Sequence, residues 1–300
     1  MTVLRTPDQH FENLFDYDFE PHYLEVTDPD LGALRMHYLD EGPEDGQILL
    51  CMHGEPSWCY LYRKMIPALV EAGFRVLAPD LVGFGRSDKP AATDDYSFTK
   101  HITWMTAWLT QLDIQSATLV AQDWGGLIGL RLVAAMPERF ERVTIANTGL
   151  PTGDQGASDA FIAWRNFSLN DEAFDTGMIL NNFGSGSLSE DEQNAYRAPF
   201  PDGSYKAGAR KFPSLVPTSV NDPSREDNIA AWEVLKTWEK PFLCCFSDND
   251  PITGGGDKVF HKLVPGCAGQ PHATLHGGHF IQQEDGERWS AIIIQWMKTT

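Results

Sequence analysis

Residues 118–129 read Thr-Leu-Val-Ala-Gln-Asp-Trp-Gly-Gly-Leu-Ile-Gly. An apolar run enters, Asp123 stands at the break, and a glycine-rich stretch of helical character leaves. Gly125 and Gly126 permit a cramped strand-to-helix turn. A turn of that kind lifts its apical side chain over the carboxyl edge of a parallel sheet. The chain must therefore supply other parallel strands and the helices that cross between them. It does so. Short, mostly apolar runs at 48–52, 74–78, 117–121, 143–146 and 242–246 suit strands buried on both faces. Helical stretches at 61–72, 99–112 and 126–136 separate the first four runs, and the last of these ends ahead of Pro137. Upstream, 24–26 and 34–39 alternate apolar and polar residues around Asp28-Pro-Asp-Leu-Gly32, which predicts an antiparallel hairpin at the sheet edge.

The strand–helix rhythm stops over 150–221. Pro151, Gly153 and Gly156 open this stretch, and Pro213, Pro217 and Pro223 close it. Helices are expected at 160–169 and 171–182, carrying Phe161, Trp164, Phe167, Phe174 and Phe183. An amphipathic helix is expected over 288–298. The predicted organisation is an α/β core of residues 1–149 and 222–300, with a mostly parallel sheet flanked by helices, interrupted by a helical cap at 150–221.

Composition narrows the partners. Of 300 residues, 42% are hydrophobic, enough for a large core, and the formal charge is -19. Such acidity repels nucleic acid and anionic membranes, so neither is an expected partner. The N-terminus has no apolar signal core, and no stretch of about 18 apolar residues is present. A cytoplasmic monomer is expected. The five cysteines, Cys51, Cys59, Cys244, Cys245 and Cys267, are odd in number and lack metal-ligand spacing, so they read as reduced thiols. Cys244 and Cys245 are adjacent on an expected strand and should face opposite sides.

A carboxylate at the elbow dictates its own chemistry. Attack on an ester carbonyl would yield a labile anhydride, whereas attack on a saturated carbon yields a stable ester. The attacked carbon should then bear a halide or a strained epoxide oxygen. Asp123 as a plain helix N-cap is the simpler alternative. Ligands of open α/β sheets bind outside the carboxyl ends of the strands, and three further strand ends carry suitable residues. The run after 242–246 holds Asp248 and Asp250, and the C-terminal region holds His276 and His279. The order Asp123, Asp250, His279 matches the nucleophile–acid–histidine order of α/β-hydrolases. His279 would be the base and Asp250 the residue orienting it, with Asp248 and His276 as competitors. His272 and His276 are four apart but flank a strand-like segment rather than a helix, so no metal site and no cofactor are expected. In His53-Gly54-Glu55-Pro56, the backbone N–H groups of Glu55 and Trp124 are the expected oxyanion hole. His53 reads as a structural hydrogen-bonding residue, and the Glu55 side chain is expected near a hydrolytic water. The glycines at 83 and 85 and at 254–256 lack the context of a phosphate or dinucleotide loop and read as turns.

Over nearly its whole length the chain resembles the haloalkane dehalogenases, in particular those with two halide-binding tryptophans. The resemblance is carried by His53-Gly-Glu-Pro56, Asp80-Leu-Val-Gly-Phe-Gly-Arg-Ser-Asp88, Val120-Ala-Gln-Asp-Trp-Gly-Gly126, Phe161-Ile-Ala-Trp164, Ala198-Pro-Phe-Pro-Asp202, Ser204-Tyr-Lys-Ala-Gly208, Arg210-Lys-Phe-Pro213 and Gly278-His-Phe280. It implies that Trp124 and Trp164 hold the departing halide ion, which suits the donor-only indole N–H. It also implies an apolar pocket for a small halogenated alkane, lined by Leu127, Phe161, Phe212, Pro213, Val216 and Ile252. An epoxide hydrolase would share the triad but needs acid assistance, for which Tyr196 and Tyr205 are available. A non-catalytic binding protein of the same fold typically lacks a triad member, and this chain has all three.

Overall fold

The computed structural model describes residues 2–172 and 174–300. Its strands are β1 (Val3–Leu4), β2 (His22–Asp28), β3 (Gly32–Glu41), β4 (Ile48–Met52), β5 (Arg75–Pro79), β6 (Lys89–Pro90), β7 (Ala117–Gln122), β8 (Phe140–Ala146) and β9 (Phe242–Cys244). Seven form one sheet in the order β2-β3-β5-β4-β7-β8-β9. The predicted hairpin is β2–β3, antiparallel and at the edge, and β3 is also antiparallel to β5. From β5 to β9 every neighbour is parallel.

The helices are α1 (Ile66–Glu71), α2 (Phe98–Gln111), α3 (Trp124–Ala135), α4 (Asp159–Asn170), α5 (Thr176–Phe183), α6 (Glu190–Arg197), α7 (Ala207–Lys211), α8 (Arg225–Leu235), α9 (Asp257–Leu263) and α10 (Ile281–Met297). They bury the sheet from both sides. Leu50, Met52, Leu119 and Ala121 point into a core shared with α2, α3 and α8. Their chain neighbours Leu49, Cys51 and Val120 point into a second core with α1 and α10. This is the period-two alternation of a strand with an apolar layer on each face. Cys244 and Cys245 divide between the two cores as expected. Leu119 is fully buried, and truncating it to Ala should cost about 2–5 kcal/mol.

Local boundaries differ from expectation in four places. The stretch 61–72 is a short 3-10 turn, Cys59–Tyr62, followed by α1, whose first turn holds Pro67. The strand expected over 242–246 ends at Cys244, beyond which Ser247 makes one isolated parallel bridge to Leu275. The second helix of the insertion starts at Thr176, where Asp175 accepts the Met178 N–H at 2.9 Å; the expected start included residue 173, which lies outside the described residues. The last helix starts seven residues early, at Ile281, and is interrupted at Asp285.

Between β8 and α8 the described residues form helices and turns and no strand. These helices are tied to the core by polar contacts as well as apolar ones. The Arg63 guanidinium donates to Glu192 at 2.6 Å, and the Tyr196 hydroxyl donates to Gln283 at 2.9 Å. Among the described residues no helix is long and apolar enough to cross a membrane.

Candidate active site

The elbow forms where β7 meets α3. Asp123 adopts φ 51° and ψ -128°, a strained conformation for a residue with a side chain. Its backbone N–H donates to Asn147 O at 3.0 Å, and its carbonyl accepts from the Thr148 hydroxyl at 2.7 Å. Close approach requires glycine nearby. A Cβ on Gly125 would stand 2.0 Å from Met52 O, and one on Gly54 would stand 2.2 Å from Asp123 Oδ1. The N-cap alternative fails: the Asp123 side chain makes no capping hydrogen bond.

That side chain instead joins the predicted partners. His279 Nε2 lies 3.4 Å from Asp123 Oδ2, and His279 Nδ1 lies 3.0 Å from Asp250 Oδ2. Asp250 is itself held by the N–H groups of Ile252 at 2.8 Å and Thr253 at 3.2 Å, and by the Thr253 hydroxyl. The competitors sit apart: His276 pairs with Asp248 at 2.8 Å on the exposed side of the same loops. The Glu55 N–H donates to Asp123 Oδ1 at 2.7 Å. The Trp124 backbone N–H is the first of α3, at a helix N-terminus whose free N–H groups favour negative charge. His53 is structural. Leu81 N–H donates to its Nε2 at 3.0 Å, so Nδ1 carries the proton and donates to Gly54 O at 2.9 Å.

Burial and charge tune these groups. Burial opposes a charge on His279, but Asp250 and Asp123 outweigh it and raise the imidazole to about 10. Burial would raise Asp250, but His279, Thr253 and the Ile252 amide bring it down to about 2. Burial and the neighbouring Asp123 push the Glu55 carboxyl well above the ordinary range, against the pull of His279. One Glu55 oxygen, Oε1, is buried without a hydrogen-bond partner.

The site opens into a cavity of about 730 Å³. Asp123, Trp124, His279 and Glu55 line it, as do Phe161, Trp164, Pro213 and Val216 from the helices and turns between β8 and α8. Leu127 and Ile252 also line it.

Residues 47–285 match the family model described as the alpha/beta hydrolase fold. A haloalkane dehalogenase of Psychrobacter cryohalolentis is 54% identical over 298 residues, covering 99% of this chain and 98% of its own length. One of Mycolicibacterium paratuberculosis is 50% identical over 298 residues, with 99% of each chain covered. The chain belongs to the haloalkane dehalogenases. The solved tetrameric haloalkane dehalogenase of Paraglaciecola agarilytica superposes with a TM-score of 0.89 at 31% identity, covering 100% of this chain and 99% of that one.

Within this dehalogenase fold one expected pocket residue is misplaced. Phe212 does not line the cavity. Its ring is fully buried behind Trp124, with centroids 4.5 Å apart, and packs on Phe84 at 4.7 Å and His101 at 4.5 Å. The 3-10 turn Phe212–Leu215 sends this ring into the core and leaves Pro213 facing the cavity. Trp164 stands among Phe167, Phe174 and Phe183, so it is both packing and cavity wall.

Other contributors were not read from sequence. Asn147 follows β8 at φ 39° and donates to Ser247 Oγ at 2.9 Å, Gly278 O at 2.9 Å and His279 O at 3.0 Å. It ties the end of β8 to the loops holding Ser247 and His279. Phe183 O accepts the His279 N–H at 2.9 Å, so α5 helps to seat His279. A polar residue at the carboxyl end of a buried strand was the available signal for Asn147; nothing local pointed to a backbone carbonyl of α5.

Proposed function

We propose that this chain hydrolyses carbon–halogen bonds of haloalkanes to an alcohol, a halide ion and a proton, through an alkyl ester on Asp123. The carrying observation is the division of labour between the two Asp123 oxygens. Oδ1 is held by the Glu55 N–H, whereas Oδ2 faces His279 and the cavity. Oδ2 attacks the carbon in line with the departing halide. The cavity keeps water from competing, and the indole N–H groups of Trp124 and Trp164 receive the halide as donors with no proton to give up.

Esterification removes the negative charge of Asp123. Part of what raises His279 vanishes with it, so the imidazole becomes able to accept a proton. His279, oriented by Asp250, then takes a proton from a water that attacks the Asp123 carboxyl carbon. Oδ1 becomes the oxyanion, already held by the Glu55 amide and joined by that of Trp124; each such donor is typically worth about 3 kcal/mol. The Glu55 carboxyl adjoins the path of that water. Residues 150–221 act as a cap that completes the pocket, over a core of 1–149 and 222–300.

An alkoxide leaving group would need a proton donor, and neither Tyr196 nor Tyr205 lines the cavity. A halide needs none. The reading extends to a cytoplasmic monomer, with the tetramer of the solved relative as the alternative assembly; light scattering decides between them. The chemistry is tested with His279→Gln. It should release one halide per molecule and retain the alkyl group on the peptide containing Asp123, seen by mass spectrometry. Sustained turnover, or no adduct after halide release, would overturn the ester mechanism.

A further inference from the structure

We propose that Cys244, His261 and His272 form a binding site for a soft or borderline divalent cation of the zinc and cadmium class, separate from the active site. One donor atom each of Cys244, His261 and His272 lie within 4.8 Å of one another. Ligands of a tetrahedral ion with bonds of about 2.0–2.3 Å stand roughly 3.3–3.8 Å apart, so small side-chain movements close the set. Three protein ligands leave the fourth position of the tetrahedron to a water molecule. Thiolate and imidazole are the donors that such ions prefer over magnesium or calcium.

The three residues come from separate elements. Cys244 ends β9, His261 is on α9, and His272 lies in the segment leading to Leu275. Sequence spacing therefore gives no sign of the group. The two imidazoles face each other with ring centroids 4.0 Å apart. His272 already has the outer bond that metal-bound histidines make. Its Nδ1 accepts the Cys244 N–H at 3.0 Å, so Nε2 carries the proton and donates to Cys267 O at 2.9 Å. The Nδ1 lone pair is held by the Cys244 amide, so the ring must turn away from that amide to bind an ion. Asp257 lies one helical turn before His261, 3.9 Å from its Nδ1, and adds negative charge at the mouth. The Cys244 thiol is buried, while the His261 side chain is 34% exposed, so the ion enters past His261.

Binding should clamp α9 and the segment at His272 to β9. It must also release the Cys244 thiol proton, and so strengthen as pH rises. The other grouping of donors among the described residues, His37, Cys59 and Asp80, is wholly buried, with Asp80 bonded to His37 Nδ1 at 2.7 Å and to the Cys59 N–H at 2.8 Å.

The test is titration of the reduced protein with Cd²⁺, following the ultraviolet thiolate-to-cadmium charge-transfer band and Tm. We expect one equivalent bound, a rise in Tm, loss of the band in Cys244→Ser, and affinity at least about tenfold weaker in His261→Ala, as loss of one ligand contact should give. The exposed position of His261 keeps that variant informative if Cys244→Ser fails to fold. Absence of the band overturns the site. So does a band that survives His261→Ala unchanged, or one that disappears in Cys59→Ser while persisting in His261→Ala.

Discussion

Two aspartate–histidine pairs bridge the same two loops and differ in everything except chemistry. Asp250 meets His279 at 3.0 Å, with side chains 0% and 7% exposed. Asp248 meets His276 at 2.8 Å, with side chains 44% and 72% exposed. The shorter contact is the one on the surface. What sets apart the pair to which we assign catalysis is enclosure and a third partner, not distance. Asp250 is anchored by the amides of residues 252 and 253, and His279 has Asp123 on its other nitrogen. The outer pair faces solvent, and among the described residues only the Gly277 N–H adds a bond to its side chains, to Asp248 at 3.1 Å. Water screens the outer charges, whereas inside each charge depends on its neighbour.

The largest expected effect breaks the inner pair at the base. His279→Gln should lower steady-state halide release by about 10⁴-fold, at the upper end for a general base, while leaving the first turnover visible as a burst. Asp250→Asn should come next, at about 10²–10³-fold in kcat, because the imidazole loses its orienting charge but remains in place. Trp164→Phe removes one indole donor to an anion. It should weaken halide binding by roughly 10–100-fold, read as reduced quenching of intrinsic fluorescence, since hydrogen bonds to charged groups contribute about 1.5–3 kcal/mol. Unchanged quenching would move the halide elsewhere.

The pair also predicts a pH dependence of stability. His279 is raised in the folded protein, from an ordinary 6.5 to about 10. Its contribution is therefore fully present below about pH 6.5 and is lost as pH rises through about 10. Asp250 is depressed to about 2 and acts in the opposite direction: its contribution is present above the ordinary value of 3.8 and is lost as pH falls through about 2. Tm measured between pH 7 and 10 should fall, and less steeply in His279→Gln. The smallest effect belongs to the outer pair. His276→Gln should leave turnover and Tm unchanged, as expected of a solvated ion pair. A large loss there would erase the distinction between the pairs.

Much of this protein is readable from local pattern. Apolar runs at 48–52 and 117–121 became strands because a strand buried on both faces has little room for polar residues. Asp123 was legible because an elbow needs small residues beside a reactive one. Boundaries were harder. The helix expected over 171–182 shrank to α5 because Asp175 caps it from within. Phe212 was misassigned because Phe212 and its neighbour Pro213 are both apolar, and only the direction of a 3-10 turn separates cavity wall from core.

The sequence by itself determined the residue types, the strand–helix alternation and the elbow, since these rest on interactions within a few residues. Only the tertiary structure decided which aspartate and which histidine of each neighbouring pair turn inward. It also decided that Asn147 braces His279, and that one cysteine and two histidines from separate elements meet beside α9. Those outcomes depend on loop dihedrals and on packing between segments more than a hundred residues apart, such as Asn147 and His279, and no local pattern encodes them.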